Sequence, residues 1–214
     1  MSRRISAPIV VLLLAVWPAG ARAQSAPPAS PTGKVRRAIS FLGGAATGLA
    51  AHESGHVLTG LASGAHPGVR RIRYGPLPFF AISHDAVSRR REFVISASGF
   101  WMQHAGSEWI LTTRPRLRDE QAPLIKGLLA FNLAASAVYG VAAFGRFGPP
   151  ERDTRGMAAS LGHSGAPEPA IGALILAPAV LDGYRYLRPD ARWAAWTSRA
   201  VKVALVGLAV AAGR

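Results

Sequence analysis

The sequence predicts an all-α polytopic membrane protein with about four to five apolar helices and a short β-hairpin after the first helix. Half of the 214 residues are hydrophobic and only 17% are charged, compared with roughly 25% in a typical soluble domain. Apolar stretches of about 20 residues recur along the chain, which is the length that crosses a bilayer as a helix. Between them lie short arginine clusters of the kind that fix the topology of membrane proteins.

The net charge of +14 would also suit a protein that binds nucleic acid. However, the arginines occur in short clusters between apolar stretches, and no basic segment is interleaved with aromatic residues that could stack on bases. We therefore predict a lipid bilayer and no nucleic acid as partner. Cysteine is absent, so a metal ion would have to be held by His, Asp or Glu.

Residues 1–23 have the pattern of a secretory signal peptide. Arg3 and Arg4 form its basic region, and the apolar stretch 9–17 is too short to span a bilayer comfortably. Ala21-Arg22-Ala23 follows as a small-x-small cleavage site. We expect cleavage after Ala23, and the alternative is an uncleaved N-terminal anchor.

The rest of the chain is predicted to form a flexible tether, 24–37, rich in Pro, Ser and Ala, and one membrane-embedded metalloprotease-like domain, 38–214. Its first apolar stretch covers residues 38–62. Residues 69–74 and 77–83 are predicted to form the two strands of a hairpin about Gly75-Pro76.

Further apolar segments follow, and one of them, 93–111, is a doubtful span because it carries Gln103, His104 and Glu108. A loop rich in Gly, Pro and charged residues separates the later segments. If the first stretch crosses after a cleaved signal, the six arginines of residues 63–92 face the cytoplasm, in agreement with the positive-inside rule. This indicates the inner membrane of a bacterium. The apolar segments after 93–111 are 124–144, 170–187 and 193–213, and the loop 145–169 separates the first two of these.

His52-Glu53-Ser54-Gly55-His56 is an HExxH motif in the second half of the first apolar stretch. Residues four apart share one face of a helix, so His52 and His56 can present their imidazoles to one ion. Glu53 lies beside them and can act as general base toward an attacking water. Imidazole and carboxylate donors suit Zn²⁺, and ionisable groups at membrane depth are usually functional.

A catalytic zinc site needs a third protein ligand. We predict Asp182, which closes the apolar run 170–181 and follows Pro178, a residue able to unwind the preceding turn. The alternative role for Asp182 is an ion pair with Arg185 at the membrane interface. His104 and Glu108, four apart on one possible helix face, are rival ligands.

Asp182 can reach the histidines only if its helix runs parallel to the HExxH helix. That requires an odd number of crossings between them, whereas the sequence offers two, 93–111 and 124–144. The segment 93–111 would then lie in the interface or re-enter the bilayer, or a crossing would be hidden in the loop 145–169. In that loop we expect His163 to be solvated, and Asp153 and Arg155 to be exposed or to have a role toward a substrate.

HESGH in one apolar segment with Leu181-Asp182-Gly183 in a later one resembles the site-two protease family of intramembrane metalloproteases. The resemblance covers the order of elements from about residue 38 to 188, and Ser96-Ala97-Ser98-Gly99 is similar to the family's small-residue glycine motif. It implies that His52, His56 and Asp182 bind catalytic zinc and that Glu53 is the base. It also implies that the hairpin guides an unwound substrate segment. The Asn that the family often places before the LDG motif is missing here.

The predicted function is zinc-dependent hydrolysis of peptide bonds in or near transmembrane segments of membrane-protein substrates. The missing Asn and the small size favour an alternative, a catalytically inactive metal-binding membrane protein that acts as an interaction or regulatory partner. A third possibility is a secreted soluble zinc protease.

Overall fold

The computed structural model describes residues 31–74, 77–162 and 167–211. Within these residues it contains six α-helices and one two-stranded sheet, so the predicted helical class with a short hairpin is confirmed. The signal peptide and residues 24–30 lie outside the described residues, whereas residues 31–37 of the predicted tether are helical. The elements are α1 (Pro31–Ala62), β1 (Gly68–Tyr74), β2 (Leu77–Ser83), α2 (Arg89–Thr113), α3 (Pro123–Gly145), α4 (Asp153–Leu161), α5 (Glu168–Leu187) and α6 (Arg192–Ala211).

Two helices in the described part of the chain, α3 and α5, are long and apolar enough to cross a membrane. They are consecutive predicted spans, and both leave large apolar side chains exposed, including Val138 and Val141 on α3 and Val180 on α5. The coarser prediction of membrane-compatible helices is therefore met by these two. The predicted total of four to five crossing helices stays a prediction.

The hairpin has the two predicted strands, except that β1 begins one residue earlier, at Gly68. β1 and β2 pair antiparallel from Gly68 opposite Ser83 to Tyr74 opposite Leu77, with Gly75-Pro76 between them, as a Gly-Pro pair between two β-rich runs predicts. Among the described residues this sheet has no third strand, so one edge of β2 has no strand partner.

Glycines set the approach of α1 to α3. A side chain at Gly44 would meet the backbone carbonyl of Leu124, and one at Gly127 would meet that of Phe41, so the two backbones touch where neither helix carries a Cβ. Further along α1, the ring of His52 faces the ring of Tyr139 on α3. Because the contacts advance in the same direction on both helices, α1 and α3 run parallel.

The neighbouring helices run the other way. His52 meets Gly99, and His56 meets the earlier residue Ile95, so α2 is antiparallel to α1. In α5, Gly172 packs on Gly140 of α3, and the later residue Gly183 packs near the earlier Leu133. Helix α5 is therefore antiparallel to α3 and also to α1, and its first turn lies at the same end of the bundle as the HExxH motif.

Helix α4 closes this end of the bundle. It packs on α2 and α5, and its Met157 and Ala158 are fully buried in the larger hydrophobic core. This burial holds α4 in place and brings its first residue, Asp153, to α1. The other members of that core are Phe93, Ala97, Phe100, Ile171, Ile175 and Leu205.

Candidate metal centre

The two histidines of the HExxH motif lie side by side on α1. Their side chains point into the bundle, and the residues are 3% and 6% exposed for His52 and His56. The two Nε2 atoms are 3.1 Å apart, because a spacing of four residues stacks side chains on one face of a helix. The predicted pair of imidazole donors is therefore formed.

Asp153 supplies a third donor. Its Oδ2 lies 3.2 Å from Nε2 of His52 and 3.4 Å from Nε2 of His56. These three residues form a cluster that could hold a metal ion. Among the described residues, no other His, Asp or Glu side chains form such a group.

The dimensions of this donor triangle fit a small divalent cation. Its edges measure 3.1, 3.2 and 3.4 Å. Zinc–nitrogen and zinc–oxygen bonds of about 2.0–2.1 Å in a tetrahedron put ligand atoms about 3.3–3.4 Å apart. Three protein donors also leave one position of a tetrahedron for water or substrate, which distinguishes catalytic from structural zinc sites.

The far side of the His56 ring is held by α2. Its Nδ1 lies 2.8 Å from the backbone carbonyl oxygen of Ile95, and a carbonyl oxygen only accepts, so Nδ1 carries the proton and donates it. In the neutral imidazole that binds a metal, Nε2 is then the lone-pair nitrogen, and it faces the cluster. A hydrogen bond from the other ring nitrogen to a carbonyl oxygen commonly orients a metal-binding imidazole in this way.

The His52 ring is fixed by packing instead. It packs against Gly99, where any Cβ would collide with the ring. The rings of Phe100 and Tyr139 enclose it from two other sides, with centroids at 5.5 and 6.0 Å. The glycine at position 99 therefore makes room for a metal-binding imidazole at the crossing of α1 and α2.

Asp153 is the first residue of α4, and its side chain is 17% exposed. The hydroxyl of Tyr139 lies close enough to Asp153 to interact with its carboxylate. Burial raises the pKa of the Asp153 carboxyl, but the imidazoles of His56 and His52 outweigh burial and hold this pKa below its ordinary range. The carboxylate is therefore ionised and can act as an anionic ligand.

Glu53 lies next to His52 on α1 and is partly buried. It is within electrostatic reach of both histidines and of Asp153, but it does not belong to the donor cluster. Its carboxylate is thus beside the cluster without being used as a ligand, which suits the predicted role of general base.

A cavity of about 160 Å³ opens next to the donor cluster. Its lining includes His56 and Asp153 of the cluster and Ile82 of β2, so the cavity borders both the cluster and the hairpin. Such a cavity can admit a side chain or backbone segment that approaches along β2. Its remaining lining residues are His84, Glu92, Ile95, Ser96, Pro150, Glu151, Arg152 and Gly156.

Asp182 is not part of the donor cluster, and Asp153 takes the place predicted for it. The reason is helix direction. α1 and α5 run antiparallel, and the 14 residues from Glu168 to Asp182 correspond to roughly 21 Å at about 1.5 Å per residue. Asp182 is fully buried at the opposite end of the bundle, where it pairs with Arg185 and Lys202 at 3.1 and 2.7 Å. The ion pair with Arg185 is the alternative that the sequence left open.

The rival ligands His104 and Glu108 also lie outside the cluster. Glu108 pairs with Arg185, Arg199 and Lys202, and His104 is buried next to this group. Arg155 is exposed, as predicted, but it lies in helix α4 and not in a loop. His163 lies outside the described residues.

From the sequence we predicted Asp153 in a loop, exposed or facing a substrate, and not as a member of a donor cluster with the two histidines. One signal was available: Asp153 follows Pro149-Pro150 and begins a segment, Asp153–Leu161, in which Met157, Ala158 and Leu161 recur at helical spacing. That pattern predicts a short helix with one buried face. The partner of that face could not be read from the pattern.

Comparisons of the chain with protein-family models, with curated proteins and with solved structures give no match. The geometry of the cluster and the HExxH motif itself are therefore the basis for assigning a function.

Proposed function

We propose that this protein is a zinc-dependent endopeptidase that hydrolyses peptide bonds in or near the membrane-spanning segments of other proteins. The observation that carries the proposal is the triangle of His52, His56 and Asp153 next to Glu53. The resemblance to the site-two protease family, through HESGH and the hairpin that follows it, supports the same class of reaction. The ligand set differs, because Asp153 replaces the aspartate of the LDG motif.

Zinc is the cation that this donor set favours. Two imidazoles and one carboxylate form the ligand set of many catalytic zinc sites, whereas Mg²⁺ and Ca²⁺ prefer oxygen donors. When bound, zinc would supply a Lewis acid that polarises the substrate carbonyl and acidifies water. The chain has no cysteine, so a thiolate site is excluded.

Glu53 and the donor residues then have separate roles in the reaction. Glu53 accepts a proton from a water molecule while the oxygen of that water attacks the carbonyl carbon of the scissile bond. The protonated Glu53 returns that proton to the leaving nitrogen as the C–N bond breaks, so the products are a carboxylic acid and an amine. The carbonyl oxygen of Ile95 holds His56, and the burial of α4 in the core holds Asp153, so the donors need no rearrangement during the reaction.

The position of the cluster favours a substrate at the membrane surface. If α3 and α5 cross the bilayer, the site lies where α3 ends and α5 begins, because Tyr139 and the segment that carries Asp153 lie at that end. A helical substrate hides its carbonyls in hydrogen bonds and must be extended before cleavage. The free edge of β2, whose Ile82 lines the cavity, can bind such a segment as an added strand.

The test separates metal binding from hydrolysis. Glu53→Gln in the detergent-purified protein should keep one zinc per chain and lose cleavage of labelled casein and of a library of fluorogenic transmembrane peptides in micelles. Ser54→Ala, at the neighbouring exposed position, should keep both properties. Cleavage by the Gln variant at the wild-type rate would exclude Glu53 as the base and with it this mechanism.

One observation favours a second candidate, a metal-binding membrane protein without peptidase activity that serves as an interaction partner. The cavity beside the cluster has a volume of about 160 Å³, which is below the roughly 300 Å³ of the smaller ligand pockets in proteins. In that case the wild type should bind zinc and cleave no peptide in the library.

A further inference from the structure

The two residues that flank Asp153 are bound to one carboxylate, that of Glu168. Nε of Arg152 donates to Oε1 of Glu168 at 2.7 Å, and a terminal nitrogen donates to Oε2 at 2.9 Å. The hydroxyl of Thr154 donates to Oε1 at 3.1 Å. We call these three residues the Glu168 clamp.

The clamp is almost entirely buried. The side chains of Arg152 and Glu168 are 8% and 5% exposed, and Thr154 is fully buried. A bidentate arginine–carboxylate pair fixes both side chains in one plane. The remaining terminal nitrogen of Arg152 donates to the carbonyl oxygen of Pro149, so the clamp also holds the backbone that leads into α4.

The metal ligand needs such support because of where it is. Asp153 is the first residue of a helix of nine residues, and an isolated helix of this length is only marginally stable in water. Glu168 is the first residue of α5, a far longer helix that packs on α3. The clamp therefore ties the start of a short, weak helix to a long, well-packed one.

We propose that Glu168 is a positioning residue for the metal centre: through Arg152 and Thr154 it fixes the start of α4 so that the carboxylate of Asp153 meets His52 and His56. This inference depends on the proposed metal centre. Glu168 does not touch the metal ligands themselves, and it acts on the site through the two neighbours of Asp153 in the chain.

The experiment compares two buried carboxylates of the same helix. Glu168→Gln removes the charge of the clamp, and Asp182→Asn removes a charge from the ion pairs with Arg185 and Lys202, roughly 21 Å away along α5. Both variants lose a buried ion pair, but only the first supports Asp153. In detergent-purified full-length protein, Zn²⁺ affinity is measured by competition with a chelating dye, and Co²⁺ is used as a spectroscopic probe.

For Glu168→Gln we expect Zn²⁺ binding that is about 10- to 100-fold weaker, the range seen when residues behind a metal ligand are removed. The visible Co²⁺ absorption should also become weaker, because a loose carboxylate no longer completes a four-coordinate site. Asp182→Asn should bind both ions as the wild type does. Equal Zn²⁺ affinity and equal Co²⁺ spectra in wild type and Glu168→Gln would rule out a positioning role for Glu168, and the proposed metal centre would remain.

Thr154→Val keeps the test decisive if Glu168→Gln does not fold. Valine has the shape of threonine and loses one hydrogen bond to Glu168, so a severalfold loss of Zn²⁺ affinity in a folded protein supports the clamp and an unchanged affinity contradicts it. A wrong assignment of the metal centre itself would give a different result. In that case the wild type would bind no Zn²⁺, or Zn²⁺ binding would be lost in Asp182→Asn and kept in Glu168→Gln.

Discussion

Oδ2 of Asp153 lies 3.2 Å from Nε2 of His52, although 101 residues separate the two in the chain. The contact exists because α4 packs on α2, which itself crosses α1 at Gly99. The three donor residues are brought together by tertiary packing. Metal binding should therefore depend on the packing of α1, α2 and α4 as well as on the donor side chains.

The first prediction concerns the ligand set. Asp153→Ala should lose most of its bound zinc in the detergent-purified protein, measured by elemental analysis, because two imidazoles alone make an incomplete site. Glu151→Ala is the matched control, since Glu151 lies two residues earlier, pairs with Arg70 and does not belong to the donor cluster. It should retain zinc at the wild-type level.

The same measurement on Asp182→Ala decides between the two aspartates. The structure places Asp182 among cations at the far end of the bundle, so this variant should keep zinc and lose stability instead. Removal of one partner from a buried ion pair costs about 3–5 kcal/mol. Loss of zinc from Asp182→Ala with retention in Asp153→Ala would restore the ligand that the LDG resemblance implies.

The parts of the fold that depend on local pattern could be predicted from the sequence. The hairpin was predictable because β-rich runs flank Gly75-Pro76, and observed strands match those runs. The HExxH pair was predictable because a spacing of four on a helix decides the geometry by itself. Both depend on residues that are close in the chain.

The third ligand depends on helix direction, which a local pattern does not contain. The sequence showed that Asp182 needs an HExxH helix parallel to its own. The structure has α1 antiparallel to α5, and this removes Asp182 from the site. Asp153 was hidden because the segment around it is polar. The buried face of α4 depends on only Met157 and Ala158 in the larger core, too few to predict a partner helix.

A second prediction tests the contact between Gly99 and His52. Gly99→Ala places a methyl group against the imidazole, so the ring must turn away from the cluster, and zinc affinity should fall by about tenfold or more. Gly43→Ala is the control, because a Cβ at Gly43 meets nothing within 4 Å. Dye competition in detergent gives both affinities. Equal affinities for Gly99→Ala and the wild type would show that the added methyl group does not displace the His52 ring from the cluster.

A third prediction concerns the hydroxyl of Tyr139, which lies close to the carboxylate of Asp153. Tyr139→Phe keeps the ring that packs on His52 and Phe100 and removes only the hydroxyl. We expect a loss of zinc affinity of about tenfold, at the lower end of effects from residues behind a ligand. Tyr184→Phe, at an exposed position that faces Trp193, should leave the affinity unchanged. If both variants bind zinc equally, the Tyr139 hydroxyl does not support the carboxylate.

The last prediction tests whether α3 and α5 lie in a bilayer. The chain has no cysteine, so single cysteines can be introduced without removing others. Val138 on α3 and Val180 on α5 are 66% and 60% exposed, and a soluble protein would offer both positions to water. In sealed and in permeabilised membranes, Val138→Cys and Val180→Cys should resist a charged maleimide, whereas both should react after solubilisation in SDS. Arg155→Cys, on the polar face of α4, should react in permeabilised membranes. Rapid labelling of all three in permeabilised membranes would mean that water surrounds these helices. The exposed valines would then mark a surface for another protein, and the metal centre would belong to a soluble enzyme.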